Sequence, residues 1–449
     1  MTGFARKVYK EIYKRMNTVT ERLLQFLNSS PTAFHAVENF RKLLKENGYS
    51  ELMENRVWQI EKGGKYFCTR NGSSLIAFRI PEETPRSFMI AASHSDSPGL
   101  KIKPNPEIRH DGLVQLNVEG YGGLLCGPWF DRPLTAAGRV MIKESDGISS
   151  RLVYIDRDLL MIPSLAIHMD RKANEGHPIN MQKEMCPLFA QDLKENRFTS
   201  FLASQLNIPE ETILAYDLFA VPRTRGTFFG ADQEFISCPR LDDLECGFAD
   251  MEGFLTAGPG QSVPLFALFD NEEVGSRTRQ GADGTLLSDV LLRIQECLSI
   301  SENQMRAMLA DSFMLSVDNA HAVHPSWGEK ADVTNRPKMN GGVVLKHSAA
   351  QKYTTDAVSA SIVKQLAEKA GIPIQEFANH SAIPGGSTLG NLSMSHVSLM
   401  TADIGLAQLA MHSPCETAGA KDPSYLADLA RTFFASALET GEDGTIRIL

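Results

Sequence analysis

Two glutamates stand side by side at the end of Pro264-Leu265-Phe266-Ala267-Leu268-Phe269-Asp270-Asn271-Glu272-Glu273. The apolar run before them suits a buried strand and is too short for a helix, so the acids sit where a strand ends. Neighbouring side chains point in different directions, which lets one carboxylate hold a metal ion while the other faces a water molecule beside it. An isolated Glu-Glu pair is most often a solvated loop, so the chemistry depends on partners elsewhere. His94 follows the apolar strand Phe88 to Ala92, and Asp96 lies two residues on, able to return to the histidine's side. Asp318 follows Met314 to Val317, and His412 follows the apolar stretch Ile404 to Met411. Asp242 and Asp243 open a helix, where acids favour the macrodipole. Each has an ordinary explanation alone; together they do not. In an open α/β sheet ligands collect beyond the carboxyl ends of the strands, where His94, Glu272, Glu273 and Asp318 converge. Gathering carboxylates there without a cation would cost several kcal/mol for each unpaired charge. Two histidines, three or more carboxylates and no nearby cysteine suit zinc, cobalt or manganese, and a bridging carboxylate permits two ions about 3.5–4 Å apart.

The elements that must position these groups are legible as patterns. Ser30-Pro31, the apolar positions Phe34, Val37, Phe40, Leu43 and Leu44, and Gly48 predict a capped amphipathic helix. Tyr66 to Thr69 and Leu75 to Ile80 around Asn71-Gly72 predict a hairpin. From Pro104 to Asp232 the chain changes to short β-like runs, among them Leu113 to Val118, Arg139 to Ile142 and Leu152 to Ile155, with one helix at Ser200 to Leu206. This reads as a mainly β domain, 104–232, inserted in an α/β domain built from 1–103 and 233–449. Beyond it apolar strands alternate with amphipathic helices. One helix has Leu286, Leu287, Val290, Leu291, Ile294 and Leu298 on a face, and a second has Val358, Ile362 and Leu366. A last helix opens at Pro423 and runs through Leu426, Leu429 and Phe433 towards a stop near Gly441.

The totals restrict function. A chain of 449 residues exceeds one ordinary hydrophobic core, and 43% hydrophobic with 22% charged residues is a folded, soluble composition. A net charge of -9 without a basic run argues against nucleic acid and anionic membrane, leaving small molecules or peptides as partners. Seven cysteines without CxxC spacing argue against a disulfide framework or thiolate zinc. The mixed charges from Arg6 to Arg15 do not make a leader, and no segment reaches about 18 apolar residues, so the cytoplasm is the expected location.

Six segments then occur in an order that resembles the aspartyl aminopeptidase family of dinuclear metallopeptidases. They are His94-Ser95-Asp96-Ser97-Pro98, Arg240-Leu241-Asp242, Asp270 to Ser276, Asp318 to Pro325, Gly386-Ser387-Thr388 and Met411-His412-Ser413. The resemblance spans nearly the whole chain and implies a three-layer α/β/α metallopeptidase domain with an inserted, mainly β dimerisation domain. It implies two divalent ions, zinc foremost with cobalt or manganese as alternatives, held by His94, Asp242, Glu273, Asp318 and His412. Asp242 would bridge them, Glu272 would be the general base and Asp96 would orient His94. Asp243 stands where the family usually has asparagine, and Ala382 where it often has aspartate.

The resemblance further implies that Lys346 faces the pocket for the substrate's first side chain and favours Asp or Glu there. His168, inside the insertion, would reach a partner subunit's site and contact the substrate carbonyl; Gly386 and Ser387 would lie beside the bound peptide. The expected activity is release of N-terminal residues from peptides by a metal-activated water, in a homo-oligomer of dimers assembling to a dodecamer. A two-metal phosphatase and a non-enzymatic metal-binding scaffold are the competing readings.

Overall fold

A computed structural model describes residues 19–191 and 197–449; the charged stretch Arg6 to Arg15 lies outside them. The central element is a nine-stranded sheet in the order Ser50–Glu51, Lys65–Arg70, Ser74–Arg79, Val263–Phe269, Phe88–His94, Phe313–Val317, Met400–Gly405, Val343–His347 and Ile374–Ala378. Its four middle strands, from Val263–Phe269 to Met400–Gly405, run parallel, so their carboxyl ends lie at one edge. Phe269 is directly opposite His94 in the ladder, which brings the Glu272-Glu273 segment beside the histidine. Val263–Phe269 and Phe88–His94 are buried along their whole length, as parallel strands covered on both faces must be.

Alternate side chains feed two cores. Met89, Ala91, Phe266 and Leu268 pack under the helices Ala33–Glu46, Leu241–Thr256, Ala357–Ala370 and Asp422–Phe434. Ile90, Ala92, Leu265 and Ala267 face the opposite way, onto Leu286–Cys297 and Glu302–Ala310. The result is the expected three layers, α/β/α. A second sheet, six strands between Gly99 and Pro222, has its own core around Ile102, Val118, Trp129, Val140, Phe198 and Leu218. Thr227–Phe229 and Phe235–Cys238 join Glu416–Gly419, Ala407–Leu409 and Ala320–His321 in a five-stranded sheet. That small sheet matters to the site: Asp242 follows one of its strands, Asp318 precedes another, and His412 lies between two more.

The hairpin forms as expected, Lys65–Arg70 on Ser74–Arg79, with φ of 58° at Asn71 and 66° at Gly72. Two boundaries and one helix face differ from the sequence reading. The first helix begins at Ala33 after an extended Thr32, two positions inside Ser30-Pro31. Val358 is 47% exposed, and Ser359, Ile362, Val363 and Leu366 form the buried stripe instead. The last helix ends at Phe434, because Leu438 is needed in the hairpin Leu438–Thr440 with Ile446–Ile448. Gly441 therefore lies in that hairpin's turn and does not mark a helix end.

Candidate metal centre

His94 ends its strand with 1% exposure. Its Nε2 lies 3.5 Å from Asp242 Oδ1 and 3.9 Å from Asp318 Oδ1, and its Nδ1 lies 3.0 Å from the main-chain oxygen of Asp96. The Asp96 carboxylate is 3.5 Å from Nδ1. The ring is thus oriented by the main chain of Asp96, while the carboxylate has other work. Its Oδ1 accepts the Glu272 N–H at 3.1 Å; its Oδ2 accepts the Glu273 N–H at 3.2 Å and the Tyr121 hydroxyl at 2.7 Å.

Asp242 and Asp243 stand at the head of Leu241–Thr256, where their backbone is not yet helical. The two oxygens of Asp242 face different histidines: Oδ1 faces His94, and Oδ2 lies 3.3 Å from His412 Nε2. His412 Nε2 is also 3.4 Å from Glu273 Oε2, and its Nδ1 is 3.0 Å from the Gly123 carbonyl, which presents Nε2 to the acids. Asp318 sits beyond its strand, with Oδ2 3.6 Å from Lys346 Nζ. Asp243 Oδ2 accepts the His94 N–H at 3.1 Å. Ligand atoms of His94, Asp242 and Glu273 lie within 4.8 Å of one another, and so do those of His94, Asp243 and Asp318. His94 belongs to both groups, so the two clusters adjoin.

The chemistry of this donor set fits divalent cations. Buried Asp242 Oδ1, Asp243 Oδ1 and Glu273 Oε1 accept no hydrogen bond, a costly state unless another positive group meets them. Protons take up part of the charge in the metal-free site. Burial pushes Glu272 up to about 8, a shift that Asp318 and Asp96 reinforce against His94, and burial raises Glu273 well above the carboxylate range. Burial opposes the protonation of His412, but Asp242 outweighs it and raises the imidazole to about 9. His94 is raised for the same reason, and Asp242, between two imidazoles, is lowered despite its burial.

The remaining sequence-predicted residues lie further out. Lys346 is 1% exposed; its Nζ donates to the main-chain oxygens of Asp318 at 2.7 Å and Asn319 at 3.3 Å, and lies over the Tyr353 ring. Gly386 lines a groove of about 400 Å³ with His321, Phe377, Gln408 and Ala410, and Ser387 is exposed beside it. The loop is tied down by Thr388, whose hydroxyl donates to Asp403. His168 lies on an exposed turn of the six-stranded sheet's long connection and does not line this groove.

Sequence reasoning missed three supporting groups. Tyr121 comes from the six-stranded sheet, and no local pattern links it to Asp96. The Gly123 carbonyl is main chain, invisible to residue type. Glu416 stands four residues after His412, a spacing that a search for buried acids near ligand histidines would have picked up.

Residues 26–434 match the family model described as Aminopeptidase I zinc metalloprotease (M18). The chain is 42% identical over 421 residues to the "Probable M18 family aminopeptidase 2" of Clostridium novyi (strain NT), covering 92% of this chain and 97% of that one. Among solved structures, Ape4 in its complex with Nbr1 superposes with a TM-score of 0.91 at 35% identity, covering 94% of this chain and 86% of that one. The mApe1 dodecamer from S. cerevisiae gives a TM-score of 0.81 at 27% identity, covering 93% of this chain and 96% of that one.

Proposed function

Since the chain belongs to the M18 family of aminopeptidase I zinc metalloproteases and is an aminopeptidase, we propose that its site holds two divalent ions and prefers acidic N-terminal residues. The observation that carries the dinuclear reading is Asp242, whose two oxygens face His94 and His412 separately, as a bridging carboxylate's would. Asp242, His94 and Asp318 would hold one ion, and Asp242, Glu273 and His412 the other. Bound zinc, or cobalt or manganese in its place, supplies Lewis acidity that lowers the pKa of water from 15.7 to about 7.

The protein's own groups do the rest. Glu272 accepts a proton from the attacking water as the water's oxygen bonds to the scissile carbonyl carbon. The carbon–nitrogen bond then breaks, and Glu272 returns that proton to the departing amine. Asp96 fixes the turn carrying Glu272 and Glu273 by both of their N–H groups. Lys346 donates to two main-chain oxygens and lies 3.6 Å from Asp318 Oδ2, so it is a fixed positive charge at the edge of the centre that a substrate carboxylate would share with Asp318. A neutral side chain gains nothing from that charge whereas an acidic one does, which is the physical basis of an acidic preference. Gly386 and Ser387, exposed on a loop anchored through Thr388, would flank the peptide.

The six-stranded sheet, close to the 104–232 insertion read from sequence, would be the dimerisation unit. His168 would then contact the substrate in a partner subunit. The support is local: Leu165, Ile167 and Met169 are 62%, 47% and 77% exposed around it, an apolar segment suited to cover by a second copy. Assembly to a dodecamer, as in the mApe1 neighbour, and a cytoplasmic location belong to the same proposal. No helix among the described residues is long and apolar enough to cross a membrane.

The test is kcat/KM on metal-reconstituted enzyme with Asp-, Glu- and Leu-terminated peptides and N-blocked controls. Cleavage of blocked peptides at an equal rate would overturn the requirement for a free α-amine. Leu equal to Asp would remove the acidic preference.

A further inference from the structure

Glu416 opens the strand Glu416–Gly419 with 1% exposure, and among the described residues no lysine or arginine pairs with it within 4 Å. Its two oxygens are used for something else. Oε1 accepts the His412 N–H at 2.7 Å, and Oε2 accepts the Asp242 N–H at 3.1 Å. One buried carboxylate thus grips the main chain of two metal-ligand candidates that lie on different segments, far apart in sequence.

Both gripped segments need holding. His412 has φ +67°, in the left-handed region that a residue with a Cβ occupies at a cost of about 1–2 kcal/mol. Arg240, two residues before Asp242, has φ +63°. Neither turn is closed by glycine; Glu416 holds the two N–H groups, while the Leu125 N–H donates to the His412 carbonyl and the Ser97 hydroxyl to that of Asp242. The grip also sets a distance. His412 Nε2 and Asp242 Oδ2 stand 3.3 Å apart with both main chains fixed by the same side chain. A helix-head residue and a loop residue with no common support would drift as like-charged carboxyls around them repelled.

We propose that Glu416 is a positioning residue for the metal centre, presetting Asp242 and His412 through their main-chain N–H groups. It touches neither the ions nor the substrate. The proposal rests on the reading of Asp242 and His412 as ligands, and it deepens that reading by naming what holds them before an ion arrives. Glutamine at this position keeps the size but replaces one acceptor oxygen with an NH₂ donor. It can satisfy one of the two N–H groups and must oppose the other. Support groups of metal ligands typically change metal affinity about 10–100-fold when altered.

The experiment measures the zinc Kd of full-length Glu416→Gln by chelator competition, beside the melting temperature of its metal-free form. Asp242→Asn and His412→Ala serve as ligand controls. The expected result is a zinc Kd raised at least about tenfold with the metal-free melting temperature within about 3 °C of wild type. A Kd within about threefold of wild type, with both controls weakened, overturns the role of Glu416 and leaves the ligand reading standing. Controls that bind zinc like wild type overturn the ligand reading and this proposal with it. If the variant does not fold, hydrogen exchange on metal-free wild type decides. Protection of the Asp242 and His412 amides by about a hundredfold or more over unstructured rates supports the grip, and exchange of either at the unstructured rate overturns it.

Discussion

Replacing Tyr121 with phenylalanine removes one oxygen atom and tests whether the six-stranded sheet contributes to chemistry within its own chain. The Tyr121 hydroxyl donates to Asp96 Oδ2 at 2.7 Å and accepts from Asn271 Nδ2 at 2.8 Å. Burial, then the charge of Asp96, holds the phenol far above its ordinary pKa, so it remains a donor across the working pH range. The ring would stay in place, because its edge packs on Phe219 at 5.6 Å and 88°. The loss is therefore one hydrogen bond to a charged group, about 1.5–3 kcal/mol. If all of it loosens Asp96, and through it the Glu272 turn, kcat falls by about 10- to 150-fold. If part is lost as general stability, the rate effect shrinks in proportion, and melting drops by about 1 °C for each kcal/mol in a chain of 449 residues. The assay is kcat and KM under saturating zinc, with zinc content and melting temperature on the same preparation. The expected result is a fall in kcat of at least about fivefold, KM moving less, and zinc retained. A kcat within twofold of wild type alongside a lowered melting temperature would refute the argument: Tyr121 would then help the fold and not the reaction.

Other outcomes follow from the same geometry. Glu272→Gln should lower turnover by at least about 10²-fold while zinc content stays at the wild-type level; a scaffold would have no turnover to lose, and retained turnover would sink the general-base role. Metal affinity should depend on pH with a definite sign. The metal-free site holds protons on groups raised to about 8 at Glu272 and about 9 at His412, and ions bind the deprotonated forms, so zinc binds more tightly as pH rises towards 9 and more weakly as it falls. A zinc Kd that is flat between pH 6 and 8 would count against this. Chelation should lower the melting temperature, since zinc at a hundred times its Kd stabilises the fold by about 2.7 kcal/mol, and a melting curve indifferent to chelator would contradict the site. Asp242→Asn should weaken zinc binding more than Asp243→Asn, because only Asp242 has an oxygen towards each histidine; the reverse order would reassign the bridge.

The strand-end positions were legible because burial on both faces of a parallel sheet forces long apolar runs, and an ionisable residue after such a run stands out. His94, Glu272, Glu273 and Asp318 were all found in this way. Helix ends were less legible. Gly441 suggested a stop, yet the chain leaves the helix at Phe434 because Leu438 is needed in a hairpin, a tertiary demand no local pattern records. Val358 matched the helical period and still faces water, because Ile362, Val363 and Leu366 set which face meets the sheet. Tyr121 was out of reach for a different reason. Its partner Asp96 comes close only because Gly99, three residues on, pairs with Tyr121 in the ladder, a register that residue types do not reveal. Lys346 stands out only through the family resemblance, since a lysine at a strand's end ordinarily faces water, and its bonds to the Asp318 and Asn319 carbonyls follow from the fold alone.

The acids of this site divide by what their oxygens meet, and for Asp96, Glu416, Asp242 and Glu273 the division accords with the proposed split between supports and ligands. Asp96 and Glu416 have every oxygen engaged, and the donors are largely main-chain N–H groups of Glu272, Glu273, Asp242 and His412. Asp242 and Glu273 each keep a buried oxygen that accepts nothing. A satisfied carboxylate gains little from a cation, whereas an unsatisfied one cannot stay charged without it. Asp243 is the mixed case: one oxygen holds the His94 N–H, and the other is unmet and close to His94 and Asp318. Its departure from the family's asparagine therefore leaves the main-chain grip intact, which an asparagine oxygen would also supply. What the aspartate adds is one more buried negative charge beside the centre. In the metal-free state that charge is met by a proton, since burial first and then Asp318 and Asp242 raise the Asp243 carboxyl well above its ordinary range. The extra acid thus deepens the proton load that binding ions must displace.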